Sequence, residues 1–218
     1  AFIQNISHEI RTPLNIISGF SQVIANPELT ESVEERQYLA GMMQENANKV
    51  TRLIDEIIGL SLIESTEKMR RDDETRLNRL FRELIQDFKS LAKGDTVLNY
   101  ESTLTDDFIF KTNENMLKRI VSALLDNAVK YTEKGTITVR CATEGADKLQ
   151  ITVEDTGCGI PVNEADHIFE RFVKLDSFKE GIGLGLPLSR KLAQQLGGTI
   201  SLDTDYKDGA RFVVTLPI

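Results

Sequence analysis

The first sixty or so residues space their apolar side chains at alternating steps of three and four, a repeat that restricts them to helices packed lengthwise on one another. Ile3, Ile6, Ile10, Pro13, Ile17, Phe20 and Ile24 form the first stripe. Asn26 to Ser32 interrupts it with turn formers, and Ser32 followed by Glu35 has the form of a capping box that opens a second helix. The second stripe runs Leu39, Met43, Asn46, Val50, Leu53, Ile57 and Leu60, with a polar Asn46 placed to fix register. Met42, Ile54 and Ile58 widen the apolar face beyond one seam. Two helices alone leave much of that face in water, so the expectation is a homodimer whose paired hairpins make a four-helix bundle.

The pattern changes at residue 66. Thr66 to Glu74 is polar apart from Met69, which marks a linker or a short exposed strand and sets the expected domains at 1–66 and 75–218, joined by 67–74. Beyond it, helical patterns (Leu77 to Lys89, Asn113 to Lys130, Leu184 to Leu196) alternate with β-branched runs (Thr136 to Val139, Leu149 to Val153, Arg211 to Leu216). This order predicts an α+β two-layer sandwich after an all-α hairpin.

Composition narrows the function. A hydrophobic fraction of 40% supports a sizeable core, and no stretch resembles the ~20-residue apolar run of a membrane span. The net charge of −8 argues against a nucleic-acid partner, which requires clustered Lys and Arg. Cys141 and Cys158 lack metal-ligand spacing and read as reduced thiols of a cytoplasmic domain. The chain opens inside a helical pattern with no capping signal, as expected of a segment of something larger. Any membrane attachment is then expected to come from a region before Ala1.

Two glycine clusters and one helix carry the chemistry. In Asp155-Thr156-Gly157-Cys158-Gly159-Ile160-Pro161, directly after a predicted strand, the glycines allow a tight turn or a close approach to a ligand. Asp155 there can accept a hydrogen bond from an exocyclic amine such as that of adenine, or be an exposed acid in a turn. Gly181-Ile182-Gly183-Leu184-Gly185-Leu186 opens a helix, and backbone N–H groups at such a start suit phosphates. It matches neither the dinucleotide fingerprint nor the Lys-Ser/Thr phosphate loop. Near the end of the helix NENMLKRIVSALLDNAVKYT, Asn127 can complete the shell of Mg²⁺, and Lys130, three residues on, can meet phosphate oxygens.

These blocks together resemble the cytoplasmic core of a sensor histidine kinase, over essentially the whole chain. SHEIRTPL (Ser7 to Leu14) is similar to the family's H box, DNAVKYT to its N box, DTGCGIP to its first glycine box, IFERF (Ile168 to Phe172) to its F box and GIGLGL to its second glycine box. The resemblance implies a dimerisation and phosphotransfer hairpin followed by a Bergerat-type ATP-binding sandwich. It implies that His8 takes the γ-phosphoryl group of ATP and passes it to an aspartate of a response-regulator receiver domain. It further implies that Asp155 binds the adenine amino group, Asn127 holds Mg²⁺, and Lys130 and Tyr131 contact the nucleotide. Gly157, Gly159 and Ile160 belong to the first glycine loop, and Lys174 stands where the family often places a cation for the terminal phosphates. Gly181, Gly183, Leu184, Gly185 and Leu186, with the charged stretch Asp176 to Glu180 before them, would form a small lid.

Within the H box, counting the repeat from Ile3 places His8 opposite the seam, with its ring in solvent. Transfer to nitrogen needs a neutral imidazole, and Glu9 can orient the ring and accept the proton on its other nitrogen. Thr12, four residues on, shares the face of His8; in similar kinases a residue there orients water against the receiver's phospho-aspartate, while a helical Thr can equally bond to the backbone. Pro13 removes a helical hydrogen bond and is expected to bend the helix. His167 reads as a surface residue.

The sequence departs from the family pattern at three places. Ala123 stands where an acid or amide is usual one turn before Asn127, Gly209-Ala210 replaces the usual Gly-Thr, and Pro187 and Ser189 replace aliphatic residues after the lid. Against the kinase reading stand an ATP-driven conformational clamp, disfavoured by Ala123 and the upstream H box, and a catalytically weakened dimeric scaffold, disfavoured by the intact glycine boxes.

Overall fold

The computed structural model describes residues 2–26, 32–64, 71–92, 94–176 and 183–218, with the side chains of 2–5, 52, 55, 56 and 58–64 outside the description. The turn around Pro27, residues 67–70 of the expected linker, the side chains of Ile3, Ile58 and Leu60, and residues 177–182 of the expected lid, Gly181 among them, therefore lie outside the described residues.

Helices α1 (Phe2–Ala25) and α2 (Val33–Glu64) pack on each other. Ser32 Oγ accepts from the Glu35 N–H at 3.0 Å, the first half of the expected capping box. Helix α1 continues through Pro13, which is buried in the seam. Asn46 is 5% exposed and donates from Nδ2 to the Met42 carbonyl of its own helix at 2.8 Å. Among the described residues of this pair only Pro13, Asn46 and Leu53 are buried, and both apolar stripes are otherwise half-exposed.

The second unit is the expected α+β sandwich. β1 (Asp73–Arg76) pairs antiparallel with β3 (Ile109–Thr112). The main sheet has the order β2-β4-β5-β7-β6, from β2 (Thr96–Ser102), β4 (Gly135–Glu144), β5 (Lys148–Asp155), β6 (Thr199–Leu202) and β7 (Arg211–Pro217). Only the β2–β4 pair in this sheet is parallel. Helices α3 (Leu77–Lys89), α4 (Glu114–Tyr131) and α5 (Gly185–Gln195) supply the second layer. Phe81, Leu117, Ile120, Leu124 and Leu125 from the helices meet Ile137, Leu149, Ile151, Val214 and Leu216 from the sheet in one core. Complete burial of a Leu or Ile side chain stabilises by about 1.5–3 kcal/mol, so this layer holds the site rigidly.

The helical and β-branched patterns fall on α3, α4, α5, β4, β5 and β7. Asn113 caps α4, its side chain accepting from the Met116 N–H at 3.0 Å. Strands β2, β3 and β6 carry no clear signal of their own. β2 lies beside β4 only after a crossover through α4, a non-local pairing that short-range alternation does not encode. β1 begins at Asp73, so Asp73 and Glu74 of the expected linker form a strand, and Asp73 Oδ2 accepts from the Glu114 N–H at 3.0 Å.

Candidate active site

Helix α4, the loop after β5 and the start of α5 enclose a cavity of about 760 Å³. Asp155 ends β5 and is 5% exposed. Its Oδ1 accepts from the Gly157 N–H at 2.9 Å and from the Ala210 N–H at 3.3 Å. Burial pushes its carboxyl above the ordinary carboxylate range, and these two bonds pull it back in part. The carboxylate is thus fixed in direction at the cavity wall, suited to a neutral donor such as an amino group.

Two glycines make this turn possible. A Cβ at Gly157 would run into the Tyr131 carbonyl, and one at Gly209 into the Asp155 carbonyl. Ala210, which lacks the hydroxyl usual there, contributes through its backbone, since Asp155 N also donates to Ala210 O at 2.9 Å.

Asn127, Lys130 and Tyr131 line the cavity from the last turns of α4, with Lys130 Nζ 5.3 Å from the Tyr131 ring centroid. Burial, then the charge of Asp176, raise the Tyr131 phenol above its ordinary value. Gly159, Ile160, Lys174, Gly183, Leu184, Gly185 and Leu186 line the same cavity, while Gly157 stands behind the wall, its N–H on Asp155. The structure thus gathers the described members of the expected nucleotide set, Gly157 apart, around one cavity. Helix α5 starts at Gly185, and Ser189 Oγ donates to the Gly185 carbonyl at 2.9 Å, so Ser189 serves the first turn of the helix.

The F box anchors the site. Phe169 packs edge-on against Phe212 with centroids 6.2 Å apart, and the Arg190 guanidinium lies 4.4 Å from the Phe169 ring. His167 is exposed and pairs with Glu170 at 3.1 Å, in line with its reading as a surface residue. Phe172 adopts φ 70 and donates from its N–H to the Gly183 carbonyl at 2.9 Å, tying the F box to the glycine segment.

His8 stands apart from the cavity. It is exposed on α1, and Thr12 Oγ1 donates to the His8 carbonyl at 3.2 Å, the backbone-bonded state of a helical Thr. Ile6 and Ile10 pack with Leu53, Leu184 and Phe172, so the seam of the hairpin meets the lid base of the sandwich. Each lies two residues from His8, roughly 200° around the helix, so the imidazole points away from that contact. Glu9 is turned toward the sandwich and meets Lys174, Oε1 to Nζ, at 3.8 Å.

Sequence reasoning missed part of the cavity wall. Ser122 and Asp126 line it from α4. Their signal was the three-four spacing with Ala123 and Asn127, which places all four along one side of the helix.

An α+β sandwich with a lined cavity, joined to a helical pair that exposes a histidine, has the two-part architecture of a phospho-acceptor domain followed by an ATPase-like domain. Comparison specifies it: residues 1–66 match the model of the His Kinase A (phospho-acceptor) domain, and residues 112–218 that of the Histidine kinase-, DNA gyrase B-, and HSP90-like ATPase. The chain belongs to the sensor histidine kinase family. It is 34% identical over 222 residues to the aerobic respiration control sensor protein ArcB of Escherichia coli strain K12, covering 99% of this chain and 28% of that protein. It is 32% identical to the circadian input-output histidine kinase CikA of Synechococcus elongatus, covering 99% of this chain and 29% of that one. The chain thus spans under a third of these relatives. In fold it resembles Acinetobacter baumannii histidine kinase AdeS (TM-score 0.73, 22% identity, 96% of this chain and 97% of that one). It also resembles full-length ShkA in complex with AMPPNP (TM-score 0.71, 24% identity, 97% of this chain and 44% of that one).

Proposed function

We propose that this chain is the catalytic core of an ATP-dependent protein histidine kinase that phosphorylates itself on His8 and passes the group to an aspartate of a response-regulator receiver domain. The observation that carries the reading is the convergence of Asn127, Lys130, Tyr131 and the fixed Asp155 carboxylate on one cavity, in a chain whose hairpin exposes His8. The adenine amino group is read by Asp155, and Lys130 and Lys174 take the phosphates. Mg²⁺ fits at Asn127 only in company. Among the described residues no group of three His, Cys, Asp or Glu side chains could hold a metal, so phosphate oxygens have to complete its shell. Bound there, the ion neutralises charge on the terminal phosphates.

In the transfer, a His8 ring nitrogen forms the N–P bond as the bond from the γ-phosphorus to the bridging oxygen breaks, and ADP leaves. Glu9 accepts the proton from the other ring nitrogen. Because His8 points away from the docked face while Glu9 is held by Lys174, the sandwich has to leave this position before transfer. Thr12, on the face of His8, serves the reverse reaction by orienting water toward a docked receiver.

A homodimer is supported by the hairpin itself, whose apolar stripes stay half-exposed. No helix among the described residues is long and apolar enough to cross a membrane, and any attachment of the full protein to a membrane is assigned to regions beyond this chain.

Mass spectrometry after incubation with ATP and Mg²⁺ tests the reading. A phosphoryl adduct mapped to His8 at neutral pH and absent after acid treatment is expected. Nucleotide binding without any adduct in a stable dimer would favour the scaffold instead.

A further inference from the structure

Helix α4 turns Ser122, Ala123, Asp126 and Asn127 toward the cavity. At position 123, one turn before Asn127, the side chain is a methyl, and a Cβ placed on Gly185 would lie 3.8 Å from it. Position 123 therefore offers a cation no oxygen. Asn127 supplies a neutral amide oxygen, a weak ligand set for a hard divalent ion that ordinarily binds through one or two carboxylates plus substrate phosphates.

Among the described residues that line the cavity, the carboxylates are Asp126 and Asp155. Asp155 is buried in the wall at the end of β5, where its Oδ1 accepts two backbone N–H groups, away from the helix that carries Asn127. Asp126 is exposed and adjoins Asn127 on the helix that forms the phosphate side of the site. Lys130 follows one turn later, so this end of the helix brings an anion, an amide and a cation to the cavity wall.

We propose that Asp126 is the carboxylate that, with Asn127, holds the Mg²⁺ of the bound Mg–nucleotide, and that it takes over the part left empty at Ala123. The inference rests on the nucleotide reading of the cavity given above. Its physical basis is charge balance: an anionic oxygen beside the amide offsets the divalent charge on the protein side, while phosphate oxygens and water fill the other positions. Metal affinity is then created by the nucleotide, because two protein oxygens alone do not make a site.

The test is a calorimetric titration of AMPPNP into the intact chain at a series of Mg²⁺ concentrations and in EDTA. Replacing Asp126 by Asn is expected to raise the Mg²⁺ concentration that half-saturates the metal-dependent gain in affinity roughly tenfold, the lower end of the range for groups that support a metal site. Asp126→Glu should recover part of it, and Asn introduced at Ala123 in the Asp126→Asn background should do the same. Affinity in EDTA is expected to be unchanged, which also shows that the variant is folded. An unaltered Mg²⁺ dependence in Asp126→Asn with metal-free binding intact would overturn the assignment. Absence of AMPPNP binding by the unsubstituted chain in EDTA and in Mg²⁺ alike would instead overturn the nucleotide reading on which it rests.

Discussion

Glu9 Oε1 and Lys174 Nζ lie 3.8 Å apart, joining the helix that carries His8 to the segment that follows the F box. Each has another task in the proposed reaction, Glu9 as proton acceptor for His8 and Lys174 as a cation for the terminal phosphates. The pair therefore marks a resting arrangement in which neither is available. Half-exposed ion pairs contribute only about 0–1 kcal/mol, so a triphosphate competing for Lys174 is sufficient to release it.

Spin labels at exposed Asn15 and Gln194 report this arrangement. Lys174→Glu is expected to broaden and lengthen the distance distribution, and the reversed pair Glu9→Lys with Lys174→Glu to restore it. An unchanged distribution in Lys174→Glu would show that the apolar contact of Ile6, Ile10, Leu53, Phe172 and Leu184 alone positions the sandwich.

Asp155 gives a pH signature. Its carboxyl is raised by burial, so the folded chain holds this proton to higher pH than the unfolded chain. Stability from this group is thus greatest below the ordinary carboxylate value and declines as pH rises just above it, leaving a cost at neutral pH. Asp155→Asn is expected to flatten that part of the thermal-stability profile. The same change should weaken AMPPNP binding roughly ten- to a hundredfold, from the about 1.5–3 kcal/mol of a hydrogen bond to a charged group.

Gly209→Ala is expected to cost about 1–3 kcal/mol in urea denaturation, the range for overpacking, because its Cβ would meet the Asp155 backbone. Gly19→Ala, with nothing within 4 Å of the added carbon, serves as the control and should not destabilise.

The two thiols should separate cleanly. Burial pushes Cys141 up to about 12, whereas Cys158 is exposed on the glycine loop and lines the cavity. A maleimide at mildly alkaline pH is expected to label Cys158 alone, and saturating AMPPNP to slow that labelling. Equal labelling of Cys141 would contradict the packed sheet.

What the sequence shows of this protein follows the range of each interaction. The three-four stripe, the Ser32 cap and the glycine loops are local, and the structure carries all three. β2 pairs with β4 only after a long crossover, and Lys174 meets Glu9 across the domain boundary, so no window of sequence contains either contact. Asp126 was hidden differently: its spacing from Ala123 was the sequence signal, and the cavity wall shows that it faces the same space as Asn127.

Incubation with γ-labelled ATP and Mg²⁺ tests the central claim most directly. The account expects label on the protein that is stable in alkali, lost in acid, absent from His8→Ala and slowed in Asp155→Asn. Release of labelled phosphate with no label on the chain, or equal labelling of His8→Ala, would contradict it.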